Sequence, residues 1–131
     1  MSAKFVLKPD DLSVVVASNL NADILADLGS ALAGSLGLAA SANLNPERRF
    51  PTMFEPVHGS APDIARQGLA NPIGAVGSAA LMLEHFGLPD QAARLNKAIE
   101  ATTAAGVLTR DVGGGASTED VVKAPIDALN A

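Results

Sequence analysis

The run Leu12-Ser13-Val14-Val15-Val16-Ala17-Ser18 constrains this chain more than any other segment. Its consecutive valines suit a pleated surface, and its near-continuous apolar character predicts a strand buried on both faces. Asn19-Leu20-Asn21 ends the strand, and Asn21 is placed to cap a helix over residues 22–33. On that helix Ile24, Leu25, Leu28 and Leu32 gather on one side, while Asp23 and Asp27 fall on the other. A two-faced strand leading into an amphipathic helix belongs to an α/β chain.

Before this strand, the short apolar run Phe5-Val6-Leu7 precedes a turn at Pro9-Asp10-Asp11. Gly34-Ser35-Leu36-Gly37-Leu38 closes the first long helix and is expected to begin a second strand. A polar turn over residues 43–49 leads to a proline-bracketed strand over 51–57, and then to a loop over 58–71. Residues 72–85 read as a helix that is apolar almost all round, hence buried. Its Gly74, Ala75, Gly77, Ser78, Ala79 and Ala80 would let neighbouring backbones come close. The next helix starts near Pro89, a favoured first-turn residue, with Ala92, Leu95, Ala98, Ile99 and Thr102 facing inward. A loop over 109–115 carries consecutive glycines. Ser117-Thr118-Glu119-Asp120 then supplies the cap and acidic first turn of a last helix, in which Pro125 predicts a kink or an early stop.

Composition narrows the function. The chain has 131 residues, 48% of them hydrophobic, which is enough for one domain or part of a larger one and excludes intrinsic disorder. With no Trp or Tyr and four Phe, the core must be built from Ala, Leu, Val and Ile, and one common general acid is missing. No cysteine means no disulfide framework, zinc ribbon or thiolate nucleophile. Fourteen Asp+Glu against nine Lys+Arg give a net charge of −5, so nucleic acid is not an expected partner. No apolar run approaches the ~20 residues of a membrane span, and residues 1–5 lack a signal-peptide core, so a cytoplasmic location is expected.

Two constellations carry chemistry. Asp23 and Asp27, four residues apart, place their carboxylates side by side. From spacing alone that is the usual exposed acidic first turn of a helix; the sharper alternative is a pair of oxygen ligands for Mg²⁺ or Mn²⁺ that needs further donors from elsewhere. The second is Glu55-Pro56-Val57-His58-Gly59-Ser60-Ala61-Pro62-Asp63-Ile64. It fits an ordinary surface loop, or a turn whose backbone N–H groups approach a phosphate while an Asp receives a ribose. Neither a G-x-G-x-x-G fingerprint nor a G-x-S-x-G elbow is present, and Arg48-Arg49 and Glu84-His85 read as solvated.

Together, the segments from Val14 through Leu28, Gly34-Ser35-Leu36-Gly37-Leu38, Phe54 through Ile64 and Gly68-Leu69-Ala70-Asn71-Pro72 resemble the isocitrate/isopropylmalate dehydrogenase family of β-decarboxylating dehydrogenases. Residues 17–49, with Ser41-Ala42-Asn43-Leu44-Asn45-Pro46-Glu47-Arg48, are most similar to its tartrate dehydrogenase/decarboxylase branch. The resemblance implies the C-terminal portion of that fold, a small sheet flanked by helices. It divides residues 1–131 into a metal-binding strand and helix (1–33) and a cofactor loop with C-terminal helices (34–131). It implies Asp23 and Asp27 as ligands of Mg²⁺ or Mn²⁺, and NAD as cofactor. Glu55 would lie near the nicotinamide, His58, Gly59, Ser60 and Ala61 around the adenosine and phosphates, and Asn71 at the adenine. Asp63-Ile64 stands where NADP-using relatives carry Lys-Tyr. The substrate implied is a small 2-hydroxy acid.

The family's N-terminal half, its substrate-gripping arginines, its catalytic Tyr and Lys and a further metal-binding Asp have no counterpart, so no catalytic residue is assigned. Three readings follow from the resemblance: a fragment or truncated member of an NAD-dependent dehydrogenase, a non-catalytic nucleotide-binding or dimerisation module, and one half of a split enzyme. The implied partners are a second copy of this chain, giving a dimer, or a complementing N-terminal half.

Overall fold

In the computed structural model, which describes residues 1–130, the chain passes through α1 (Ser2–Leu7), α2 (Asn19–Ala33), β1 (Ala40–Asn43), β2 (Met53–Pro56), α3 (Ile73–His85), α4 (Pro89–Ala104) and α5 (Thr118–Asn130). It is an α/β arrangement with a small sheet flanked by helices, as the sequence implied. The sheet is a two-stranded antiparallel hairpin with Ser41 opposite Glu55 and Ala42 opposite Phe54. Val57 N donates to Ala39 O at 3.0 Å and extends the ladder by one step towards the loop that follows.

Small side chains build the centre. α3 packs against α4, against both strands and against the turn before β1. A Cβ on Gly74 would stand 3.0 Å from the carbonyl oxygens of both Gly37 and Ala39, and one on Gly77 would stand 3.1 Å from Ala40 Cβ. Only glycine lets the helix lie this close to the incoming chain. Ile73, Ala80, Ala92, Ala98 and Val121 fill the core. The buried hydroxyls of Ser78 and Thr102 turn back to carbonyls one helical turn earlier, each at 2.8 Å. The five positions expected to line the inner face of α4 are all buried or half-buried.

The N-terminal region departs from expectation. Phe5, Val6 and Leu7 lie in the short helix α1. Residues 12–18 are not a strand: Val14 and Val16 are 84% and 94% exposed, with no ladder partner among the described residues. A strand with two apolar faces gains its stability from neighbouring strands and layers, and residues 1–130 supply none here. α2 starts earlier than expected, at Asn19 with Ser18 as its N-cap, so Asn21 lies inside the helix. Of its apolar side chains Leu25 is buried and Leu28 half-buried, whereas Leu20, Ile24 and Leu32 are exposed.

Two later segments differ as well. Leu36–Leu38 forms a 3-10 turn capped by Ser35, whose Oγ accepts from Gly37 N, and the strand begins only at Ala40. α5 continues through Pro125 to Asn130, so the expected early stop does not occur. A proline inside a helix costs about 3 kcal/mol. Burial of Pro125 and packing of α5 against α4 offset that cost. At the start of α5, Ser117 and Asp120 cap each other reciprocally, Ser117 N donating to Asp120 Oδ2 at 2.9 Å and Asp120 N to Ser117 Oγ at 3.2 Å.

Candidate functional site

The loop over residues 58–71 leaves the hairpin at Val57 and returns to the start of α3. Between these anchors it bounds a cleft of about 540 Å³, within the usual range of small-molecule sites. His58, Gly59, Ser60, Ala61, Ile64 and Asn71, all candidates from sequence, line this cleft. Gly59 has open space where a Cβ would point, so a ligand can reach its backbone. The loop holds strained geometry: Ala61 and Arg66 adopt φ of 40° and 63°, a region that side chains other than glycine rarely occupy. His58 Nδ1 lies 2.9 Å from Gly59 O. A carbonyl only accepts, so Nδ1 carries a proton and Nε2 is left to meet a ligand.

Two candidates stand apart from the cleft wall. Asp63 is exposed on the 3-10 turn Pro62–Ile64, from which Ile64 rather than Asp63 faces the cleft. Glu55 is exposed on β2, beside the loop and outside the lining. Asp23 and Asp27 are both exposed on α2. Among the described residues no group of three or more His, Cys, Asp or Glu comes together that could hold an ion. The pair therefore offers two hard oxygen donors, which suits a share of a Mg²⁺ or Mn²⁺ shell that others complete.

Sequence reasoning missed Ser35, Gly37, Asp111 and Thr118, which complete the wall. Asp111 Oδ2 accepts from the Ser35 hydroxyl and from Asn71 Nδ2 at 3.0 Å, and Oδ1 accepts from Thr109 Oγ1 at 2.5 Å. Partial burial works against the Asp111 charge, but the hydrogen bonds from Ser35, Thr109, Asn71 and its own backbone outweigh it, and its carboxyl is held below the ordinary value of 3.8. A local signal existed, a carboxylate two residues before a glycine run, but its partners Asn71 and Ser35 lie far away in sequence. His85, expected to be solvated, is half-buried between Phe54 and Phe86, with ring centroids at 5.6 and 5.7 Å, and its carbonyl accepts from Arg48 Nη2.

Gly37 sits under this network. A Cβ there would lie 2.7 Å from both Asn71 Cβ and Asp111 Oδ2. Gly37→Ala is expected to destabilise the chain by about 1–3 kcal/mol and to separate Asn71 from Asp111. Urea denaturation checks the first effect, and the Asn71 side-chain NMR signals check the second.

The isocitrate/isopropylmalate dehydrogenase family profile matches residues 1–124. A probable tartrate dehydrogenase/decarboxylase of Agrobacterium vitis is 57% identical over 129 residues, covering 98% of this chain and 36% of that protein. The decarboxylating D-malate dehydrogenase of Escherichia coli strain K12 is 49% identical, covering 95% of this chain and 36% of that protein. Among solved structures, isocitrate dehydrogenase from Methylococcus capsulatus superposes with a TM-score of 0.92 at 38% identity, covering 99% of this chain and 38% of that one. The chain thus spans about 36% of the length of these curated relatives. A profile match over nearly all residues and superposition of the whole fold agree: the chain belongs to the isocitrate/isopropylmalate dehydrogenase family.

Proposed function

We propose that this chain supplies the C-terminal portion of an NAD-dependent, metal-assisted decarboxylating dehydrogenase acting on a small 2-hydroxy acid of the tartrate or malate type. The observation that carries the reading is the cleft under residues 58–71, with an accessible glycine backbone, a half-buried histidine and a carboxylate on its outer turn. Residues 34–131 then form the cofactor-loop and helical part, and residues 1–33 the metal-binding part.

In this reading the backbone around Gly59, Ser60 and Ala61 receives the phosphates and adenosine, and His58 presents Nε2 to the nucleotide. Asn71 closes the adenine end, Ile64 supplies apolar wall, and Glu55 lies towards the nicotinamide. Asp23 and Asp27 hold Mg²⁺ or Mn²⁺, which when bound polarises the oxygen of a 2-hydroxy acid. No helix among the described residues is long and apolar enough to cross a membrane. We place the protein in the cytoplasm and expect neither a membrane nor nucleic acid as partner.

Asp63 tests the cofactor assignment. A 2′-phosphate beside its carboxylate is electrostatically unfavourable. NAD is expected to bind at millimolar strength, because the chain spans only about 36% of the length of its curated relatives and its cleft is open, and NADP is expected to bind more weakly. Asp63→Ala is expected to erase the preference in a calorimetric or NMR titration. Equal affinities for both nucleotides in the unmodified chain would reject the assignment.

A reading as one half of a two-part assembly has its own support. Val14 and Val16 stand on an extended, unpaired segment, next to the exposed Leu20, Ile24 and Leu32 of α2. Apolar surface gathered in this way is normally covered. Without a complementing polypeptide, the chain is expected to pair with a second copy and sediment as a dimer at micromolar concentration. A monomer under those conditions would contradict this expectation.

A further inference from the structure

We propose that Asp111 is a positioning residue of the nucleotide cleft, which holds the Asn71 amide in a single orientation from across the fold. The inference rests on the nucleotide reading of the cleft and adds a residue to it. An ionised carboxylate can only accept hydrogen bonds, so the group turned towards Asp111 must be the amino end of Asn71, at 3.0 Å. The amide oxygen then falls 3.0 Å from Ile73 N, where it accepts the hydrogen bond of an orphan N–H in the first turn of α3. Rotating the amide by half a turn would set oxygen against carboxylate and amino group against N–H. Both contacts would be repulsive, so one orientation survives.

Asn71 is 8% exposed, and each of its side-chain polar atoms is used once within the protein. What remains for a ligand is one Nδ2 hydrogen and one lone pair on Oδ1, in fixed positions. A donor beside an acceptor suits the edge of an adenine-like base.

The surroundings fix Asp111 in turn. Ser35 and Thr109 donate to it, and Thr109 is 1% exposed. The adjoining segment also grips the loop directly: Thr118 N donates to Gly68 O at 2.8 Å, and Thr118 Oγ1 to Ala70 O at 2.6 Å. Residues 68–71 are thus fastened by the same stretch of chain that carries Asp111.

The test follows the Asn71 side-chain amide and Ile73 N–H exchange by NMR in the isotope-labelled chain. Asp111→Asn is expected to move the Asn71 amide signals and to speed Ile73 exchange about tenfold, while the amides of α4 stay unchanged. Combining Asp111→Asn with Asn71→Asp exchanges donor and acceptor across the same contact and is expected to restore slow exchange at Ile73. Should Asp111→Asn disturb α4 as well, Ser35→Ala serves as the milder change and is expected to shift the Asn71 signals in the same direction.

Unmoved Asn71 signals and unaltered Ile73 exchange would overturn the positioning role. In a parallel titration NAD is expected to bind Asp111→Asn about tenfold more weakly. Equal NAD affinity in the two proteins would overturn the link to the cleft. If the unmodified chain fails to bind NAD, the nucleotide reading falls, and the Ile73 measurement still decides whether Asp111 orients Asn71.

Discussion

Alanine substitution at three consecutive glycines is expected to give three very different results, with Gly114→Ala the most damaging. A Cβ at position 114 would collide with the Leu108 carbonyl group and lie 2.5 Å from Leu108 Cβ. These atoms cannot easily yield. Leu108 O accepts from Ala116 N at 2.9 Å, Gly114 N donates to Thr109 O at 2.9 Å, and Thr109 is buried. Relief therefore requires opening the loop that seats Asp111, and the cost should exceed the ~1–3 kcal/mol of ordinary overpacking. Gly113 has φ of 83° with nothing near its Cβ, so Gly113→Ala should cost only the ~1–2 kcal/mol of left-handed backbone. Gly115 has neither constraint, and Gly115→Ala should be close to neutral. Urea midpoints in that order support the loop geometry. A Gly114→Ala midpoint equal to that of Gly115→Ala would disprove it.

Those glycines also mark where local sequence stops being informative. Periodicity located α4 and its inner face, because Ala92, Ala98 and Thr102 recur with the helical repeat and pack against one continuous surface. Paired prolines bracketed β2, and Ser117 with Asp120 announced α5. Residues 12–18 misled because their pattern describes an environment, burial on both faces, that residues 1–130 do not provide. Residues 34–38 misled for a different reason. Ser35 caps its own turn through Gly37 N, a competition between side chain and backbone that hydrophobic pattern does not register.

At the candidate site, the loop over 58–71 was legible because its histidine, glycines and small residues are contiguous in sequence, and His58, Gly59, Ser60, Ala61 and Ile64 line one cleft. Asp111 was not. Its partners lie 40 positions away at Asn71 and 76 at Ser35, and only the packing of α3, α4 and α5 brings them together. The extra reach of Pro125 within α5 has the same origin, since tertiary contact overrides a local propensity.

The 131-residue chain alone is expected to show no measurable oxidation of tartrate or D-malate in the presence of NAD and Mn²⁺. His58 and Asp111 line the cleft, but the tyrosine and lysine that the family resemblance implies as the acid–base pair are missing from it. There is no tyrosine in the sequence, and Lys4, Lys8, Lys97 and Lys123 are all exposed, with none in the cleft lining. Lys4 is paired with Asp11 at 3.8 Å. Arg66 is the one arginine at the cleft, too few for a clamp on a dicarboxylate. General acid–base groups contribute about 10²–10⁴-fold, and fixed orientation of substrate contributes further powers of ten, so their joint absence should place turnover below detection. Adding a polypeptide that corresponds to the rest of a longer relative should restore activity, because it would supply those groups and cover Val14, Val16 and α2. Asp27→Asn in the restored assembly should abolish turnover again, since a neutral amide is a poor ligand for a hard dication. Turnover by the chain alone that is lost in Asp27→Asn would mean that a complete active site is already present in these residues, and the reading of the chain as one portion of the enzyme would fail.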